Sequence, residues 1–223
     1  MRLLRAGLRL FFIHFYTTMA WSYDAIAFLV SVGQWNAWVL SAQEAITADP
    51  VLEIGHGPGH LLVKLGPQAI GLDPSRQMSR LARRRLRRSG IRPRLERACS
   101  QALPFRSASF GSLVSTFPAE YILEPRSIEE AWRVLRAGAR LVIVAMAEIR
   151  GRGALDRMAN WLFRVTGQAG ELPPDWIEPL VQVGFEIKRV DVPVRRSNVV
   201  QIIGTKPPRP RVGPIESVPI QMT

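Results

Sequence analysis

Four short apolar runs lie between residues 51 and 147, at 51–55, 68–73, 109–117 and 140–147, and a further strand is placed near 94–99. The run at 140–147, RLVIVAMA, is the most apolar. Between the runs, apolar residues return every three or four positions, as in Met78, Leu81, Ala82 and Leu86 or Ile128, Ala131, Trp132 and Leu135. Runs of the first kind predict strands and stretches of the second predict helices. The helices are placed near 58–65, from Ser75 to about Gly90, at 125–136 and at 173–183. Alternating strands and helices predict a parallel sheet covered on both faces. Two further strands, at 185–192 and 198–204, follow one another closely and predict an antiparallel end. The expected fold class is therefore α/β, a Rossmann-like, doubly wound, mostly parallel seven-stranded sheet.

The flanks read differently. In residues 1–47, Arg2, Arg5 and Arg9 punctuate an apolar start, and residues 25–43 carry no charge. The apolar core of the start is short and contains His14, which argues against a signal peptide. Ser31, Gly33, Gln34, Asn36, Ser41 and Gln43 interrupt the uncharged run, which argues against a membrane span. An N-terminal helical extension is expected, either covering the site or lying in a membrane interface. Residues 150–170 have helical spacing and suit an inserted lid. Residues 206–223 hold five prolines in 18 positions and read as a loosely docked tail. The domain proper is expected to span 48–205.

Candidate chemistry concentrates in VLEIGHGPGHLLVKLGPQAIGLDPS, residues 51–75. A strand ends in a glycine loop, a helix follows, and a second strand ends in Asp73: the layout of a nucleoside-binding βαβ unit. The loop is G-x-G-x-G, through Gly55, Gly57 and Gly59. A dinucleotide fingerprint needs a further glycine where this chain has His60. The glycines let backbone approach a ligand closely. Asp73 lies 18 residues after Gly55, near the spacing of an acid that accepts from ribose hydroxyls. Glu53 is acidic in an apolar strand. It needs loop amides, a water or a cationic ligand group as partner. Met78 packs against the adenine or in the core. His56 and His60 read as loop-packing residues, with His60 also a candidate base.

Charge alters the view of partners. The net charge is +12, carried by 27 Arg against three Lys. Residues 76–97 hold ten Arg and one Glu. Such a balance points to an anionic partner or to a solvated basic face. The run has no interleaved aromatics, which favours an anionic membrane surface over RNA. The single cysteine, Cys99, excludes an internal disulfide framework and a cysteine-based zinc site; no metal site is expected. It fits a reducing, cytoplasmic setting with peripheral membrane attachment.

Four segments in order resemble the class I S-adenosylmethionine (SAM)-dependent methyltransferases, specifically their type 11 domain. They are VLEIGHGPG, GLDPSRQM, QALPFRSASF and RVLRAGARLVIV. The resemblance covers about residues 48–205. It implies SAM as cofactor, held by Glu53, Gly55, His56, Gly57, Gly59, Asp73, Pro74 and Met78. Cys99 stands where the family carries an acid near adenine, leaving Ser100, Gln101 or main chain to that role. Thr116, Phe117, Pro118, Glu120 and Tyr121 follow the fourth strand, where the family presents the methyl group. Glu120 or Tyr121 would be the base or orient the acceptor. Two departures are Phe110-Gly111 for the usual Phe-Asp and Ala137-Gly138-Ala139 for Pro-Gly-Gly.

More narrowly, Tyr23-Asp24, Ser31, Gly33 and Trp38 resemble the start of ubiquinone/menaquinone-biosynthesis C-methyltransferases. That implies a small hydrophobic, lipid-like or quinone-like acceptor. Two other expectations stay open: an RNA or protein methyltransferase docking through 76–97, and a methyltransferase-like binding protein without turnover.

Overall fold

The computed structural model describes residues 27–28, 31–118, 120–151, 153, 156–158 and 176–208. Tyr23, Asp24, His14, most of the 150–170 insert and the tail beyond 208 lie outside them.

Seven strands form one sheet: β1 (Val51–Ile54), β2 (Ala69–Leu72), β3 (Leu95–Glu96), β4 (Phe110–Thr116), β5 (Leu135–Ile149), β6 (Glu186–Val194) and β7 (Ser197–Thr205). Their spatial order is β3-β2-β1-β4-β5-β7-β6. β1, β2, β3, β4 and β5 pair in parallel, and β7 runs antiparallel to both β5 and β6. The expected mostly parallel, seven-stranded sheet is present. The order reverses at β1, so the glycine loop after β1 opens at a topological switch point, where open α/β sheets bind ligands.

Helices fully within the described residues are α1 (Trp35–Leu40), α2 (His60–Leu65), α3 (Arg76–Arg88), α4 (Pro125–Val134) and α5 (Glu178–Val183). α3 is the longest of these. Its N-cap is Ser75, whose hydroxyl accepts from the Met78 N–H. α2 starts at His60 rather than Pro58, because Gly59 takes a left-handed conformation immediately before it. α4 has proline at its start and stops at Val134, two residues before the expected end.

Period-two alternation divides the core. Val51, Val114, Val142 and Val144 face α1 and α2. Leu52, Ile54, Leu113, Leu141 and Ile143 face α4 and α5. Apolar side chains cover both faces, which is why the parallel strands read as nearly unbroken apolar runs.

Three local outcomes differ from the sequence reading. β3 is two residues long, because the charged stretch around it has little to bury. β5 extends back through Ala137-Gly138-Ala139, with a register shift against β4 between Phe110 and Ser112. Gly138 sits at positive φ and donates its N–H to the Lys206 carbonyl, while the Lys206 N–H donates to the Ala139 carbonyl. Lys206 is docked rather than loose: its ammonium donates to the Trp132 and Leu135 carbonyls. The QALPF segment is pinned to α4, since Arg133 donates to the Leu103 and Phe105 carbonyls while Glu130 accepts from the Leu103 N–H.

Gly111 also has a structural reason. A Cβ there would stand 2.7 Å from the carbonyl oxygens of both Ala48 and Asp49, and its own N–H donates to the Pro50 carbonyl. Backbone on both sides leaves no room for a side chain. Gly111→Val is expected to cost about 1–3 kcal/mol of stability, read as a lowered urea midpoint at unchanged m-value.

Candidate functional site

Alternation along β1 puts Glu53 on the same face as Val51, under α1 and α2. Burial is complete, and one carboxylate oxygen accepts from the Leu62 backbone at the first turn of α2. That turn offers unpaired N–H groups and positive potential. Oε2 has no partner among the described residues. Burial drives the Glu53 carboxyl well above its usual range, and repulsion from Asp73 adds to it.

Asp73 ends β2 and ties down the glycine loop. Its Oδ2 accepts from the Gly57 N–H at 3.0 Å and its Oδ1 from the Ser75 N–H at 2.8 Å. Each oxygen keeps a further acceptor site. The Gly55 N–H donates to the Leu72 carbonyl at 2.7 Å, closing the turn on β2. Gly55, Gly57 and Gly59 all have positive φ. Two of them also answer to neighbours. A Cβ on Gly55 would overlap the Tyr121 hydroxyl, and one on Gly59 would press on Ala82 of α3. The Arg85 guanidinium adds a hydrogen bond to the Pro58 carbonyl.

His56 is buried beneath the loop. Its Nδ1 lies 2.7 Å from the Gly57 carbonyl oxygen. A carbonyl only accepts, so Nδ1 carries the proton and Nε2 is a bare acceptor. Nε2 has no partner among the described residues. Burial lowers the His56 pKa, with Asp73 opposing.

Glu53, Gly55, His56, Gly57, His60 and Thr116 line one cleft, closed on its far side by Trp35 and Val39 of α1. Its free space is about 30 Å³, the scale of one water. Trp35 stacks on Phe117 with centroids 4.6 Å apart, and Trp38 leans on both rings. Phe117 holds positive φ and donates its N–H to the Val144 carbonyl, which turns its ring toward α1.

The sequence-selected residues therefore separate. Glu53, Gly55, His56, Gly57, His60 and Thr116 converge on the cleft, Asp73, Phe117 and Tyr121 border it, and Gly59 packs against Ala82 instead. Glu120 opens a 3-10 turn, Glu120–Leu123, and its side chain lies outside the described residues. Met78 is buried in α3. Pro74 and Cys99 are exposed. Ser100 hydrogen-bonds Ser127 at 2.8 Å, and Gln101 donates to Glu124 at 2.7 Å, so both side chains hold the start of α4. Sequence reasoning missed Trp35. Its signal was the Trp35/Trp38 spacing of three, which puts both indoles on one side of a helix.

The donor set fits a ligand with a cationic or hydrogen-rich end. Among the described residues two buried atoms, Glu53 Oε2 and His56 Nε2, have no hydrogen-bond partner, and Asp73 has acceptor capacity left. No group of three or more His, Cys, Asp or Glu among the described residues is placed to hold a metal.

Residues 51–138 match the family model of the methyltransferase domain. The fold is that of a SAM-dependent methyltransferase from Thermotoga maritima: TM-score 0.59, 20% identity, covering 86% of this chain and 99% of that one. The matched stretch is thus a methyltransferase domain, and the fold is the one that SAM-dependent methyltransferases adopt. Nearer relatives are partial. An uncharacterized protein of Mycobacterium tuberculosis is 38% identical over 99 residues, 44% of this chain and 32% of that protein. The demethylmenaquinone methyltransferase of Deinococcus radiodurans is 29% identical over 138 residues, 58% of this chain and 57% of that protein.

The two buried groups make opposite pH predictions. Glu53 is raised, so its contribution is complete below its usual pKa near 4.5 and is lost as pH rises toward the folded value. His56 is lowered, so its contribution is complete above its usual 6.5 and is lost as pH falls toward the folded value. Glu53→Gln is expected to flatten the upper limb of melting temperature against pH in ligand-free protein, leaving the lower limb in place. An unchanged upper limb would show that Glu53 does not titrate as described.

Proposed function

We propose that the chain transfers a methyl group from SAM to a small hydrophobic, quinone-like acceptor met at a membrane surface. The observation that carries this reading is the Trp35–Phe117 stack. It places an aromatic, apolar wall at the carboxyl edge of the sheet, beside the two unanswered acceptors. The demethylmenaquinone methyltransferase relative supports the acceptor class. In this reading residues 48–205 are the catalytic unit, residues 1–47 cover the acceptor, and 150–170 complete that cover. Among the described residues no helix is long and apolar enough to cross a membrane, so contact with lipid would be peripheral.

Bound SAM supplies an activated methyl on a sulfonium, so positioning and exclusion of water are the main tasks left to the protein. Glu53 Oε2 would accept from the ammonium at the amino-acid end. That contact would favour its charged form and offset the cost of burying it. Asp73 would accept from the ribose hydroxyls with the lone pairs its backbone bonds leave. Gly55 and Gly57 allow close backbone approach. Thr116 and Phe117 border the place where an acceptor would meet the methyl, with Trp35 shielding it. The Tyr121 hydroxyl over Gly55 is the better-placed candidate to orient the acceptor or take its proton; His60 is the second.

Asp73→Asn keeps the shape but makes one of its two contact atoms a donor. It is expected to weaken binding of S-adenosylhomocysteine by at least about 30-fold, roughly 2 kcal/mol by calorimetry. Labelled SAM incubated with wild-type protein and host lipid, RNA and protein fractions should label the lipid fraction. Label confined to RNA or protein would replace this reading with docking through the α3 arginines. An absence of both SAM binding and label would indicate a binding protein.

A further inference from the structure

We propose that a rim formed by Phe28, Arg150, Met158, Arg195 and Arg196 docks on an anionic bilayer and turns the cleft toward the lipid phase. This rests on the hydrophobic-acceptor reading above. β4 ends at Thr116, opposite Val144 of β5. β5 continues through Ala145–Ile149, about 16 Å further at the usual rise per residue. β7 pairs with that extension to Ser197, and β6 pairs with β7 from Val194. The three strands thus stand as a wall above the sheet's carboxyl edge, on the side where the glycine loop opens. The two-residue turn Arg195–Arg196 is its tip, and the Arg150 N–H donates to the Arg196 carbonyl there.

Two other segments are tied to this tip. Gln34 Oε1 accepts from the Arg196 N–H at 3.2 Å and the Ser197 hydroxyl at 2.9 Å. The chain before Gln34 turns back so that the Phe28 ring lies over Gly33. Asp156 Oδ2 accepts from the Arg196 guanidinium at 3.4 Å, which places Met158 alongside. Phe28 is 62% exposed and Met158 55%. Val181 in α5 is the other large apolar side chain exposed among the described residues. Two of three therefore flank one cluster of exposed arginines, Arg150, Arg195 and Arg196.

Mixed apolar and basic character is what an interfacial contact requires. Guanidinium groups engage lipid phosphates and apolar side chains enter the acyl boundary. The α3 arginines lack the apolar part. Arg76, Arg80, Arg83, Arg84, Arg87 and Arg88 are exposed and pair with no carboxylate among the described residues. Yet α3 runs from the carboxyl end of β2 back toward the opposite edge. A bilayer against that flank would leave the cleft facing sideways, whereas a bilayer on the rim faces the edge where the cleft opens.

The test is sedimentation of full-length protein with phosphatidylglycerol-containing phosphatidylcholine vesicles, with pure phosphatidylcholine as reference. Three rim variants are compared with wild type: R150E/R195E, F28S and M158S. Arg196 is left intact because it holds Asp156 and Gln34. The comparison variant is R83E/R87E on α3. Melting temperature and S-adenosylhomocysteine affinity confirm folding.

The expected result is at least about ten-fold weaker vesicle binding for R150E/R195E, measurable losses for F28S and M158S, and near-wild-type binding for R83E/R87E. Loss confined to R83E/R87E, equal loss in both double variants, or wild-type protein that ignores anionic vesicles but binds RNA would each overturn the proposal. Methylation of a short-chain, water-soluble quinol without vesicles separates the two readings. An R195E variant, at a position outside the segments assigned to the acceptor cover, should match wild type there. Wild-type turnover on that quinol without vesicle binding sinks the docking alone, and vesicle binding without any turnover on it sinks the acceptor reading.

Discussion

A carboxylate buried on an apolar strand costs free energy until something answers it, and Glu53 is answered on one oxygen only. The arrangement around it follows from that demand. β1 must stop one residue later in a glycine turn so that the N-terminus of α2 can come down over the strand and present its N–H groups. The turn must be held, and Asp73 holds it from the neighbouring strand through Gly57. Asp73 brings a second negative charge close by, which raises the cost of ionising Glu53. Two acids and a neutral histidine with a bare nitrogen leave an excess of acceptors under one loop. In the proposed reading, the cationic end of SAM is the group whose chemistry matches that excess.

Legibility in the sequence tracked distance along the chain. The βαβ unit, the glycine loop and Asp73 were readable because their partners lie within some twenty residues and obey short-range rules of turn and spacing. The parallel pairing and the antiparallel end were readable for a similar reason, since a helix between strands makes a parallel crossover and two strands close in sequence pair antiparallel. Trp35 and Tyr121 were harder. Trp35 meets Phe117 across more than eighty residues, and a hydrophobic contact of that range leaves no local mark beyond an amphipathic spacing. Tyr121 looked like a base because of its place after β4. What the sequence could not show is that its hydroxyl occupies the space where Gly55 lacks a side chain. Ser100 and Gln101 moved the other way: side chains expected at the cofactor are spent on Ser127 and Glu124, holding α4.

The excess of arginine also divides on inspection of place. A count of basic residues directs attention to 76–97, where density is highest. Density alone sets the strength of a field, not the direction in which a bound surface presents the active edge. Fewer arginines at the β6–β7 turn lie where the strands end and where exposed apolar side chains accompany them. Function at an interface depends on orientation, so the smaller cluster carries more information than the larger one.

In the proposed reading, the same geometry would tie cofactor entry to acceptor binding. Free space of about 30 Å³ is an order of magnitude below the few hundred Å³ of ordinary ligand pockets. Trp35 and Val39 close it, and both belong to α1. Gln34, immediately before α1, is fastened to the β6–β7 turn through Arg196 and Ser197. A displacement of α1 that opens the cleft must therefore either stretch those bonds or carry the turn with it. In the proposed reading, the helix that would shield the methyl group is the one anchored to the rim above it. Events at the rim and space in the cleft would then be linked mechanically through one short helix, with two hydrogen bonds to a single amide oxygen as the coupling.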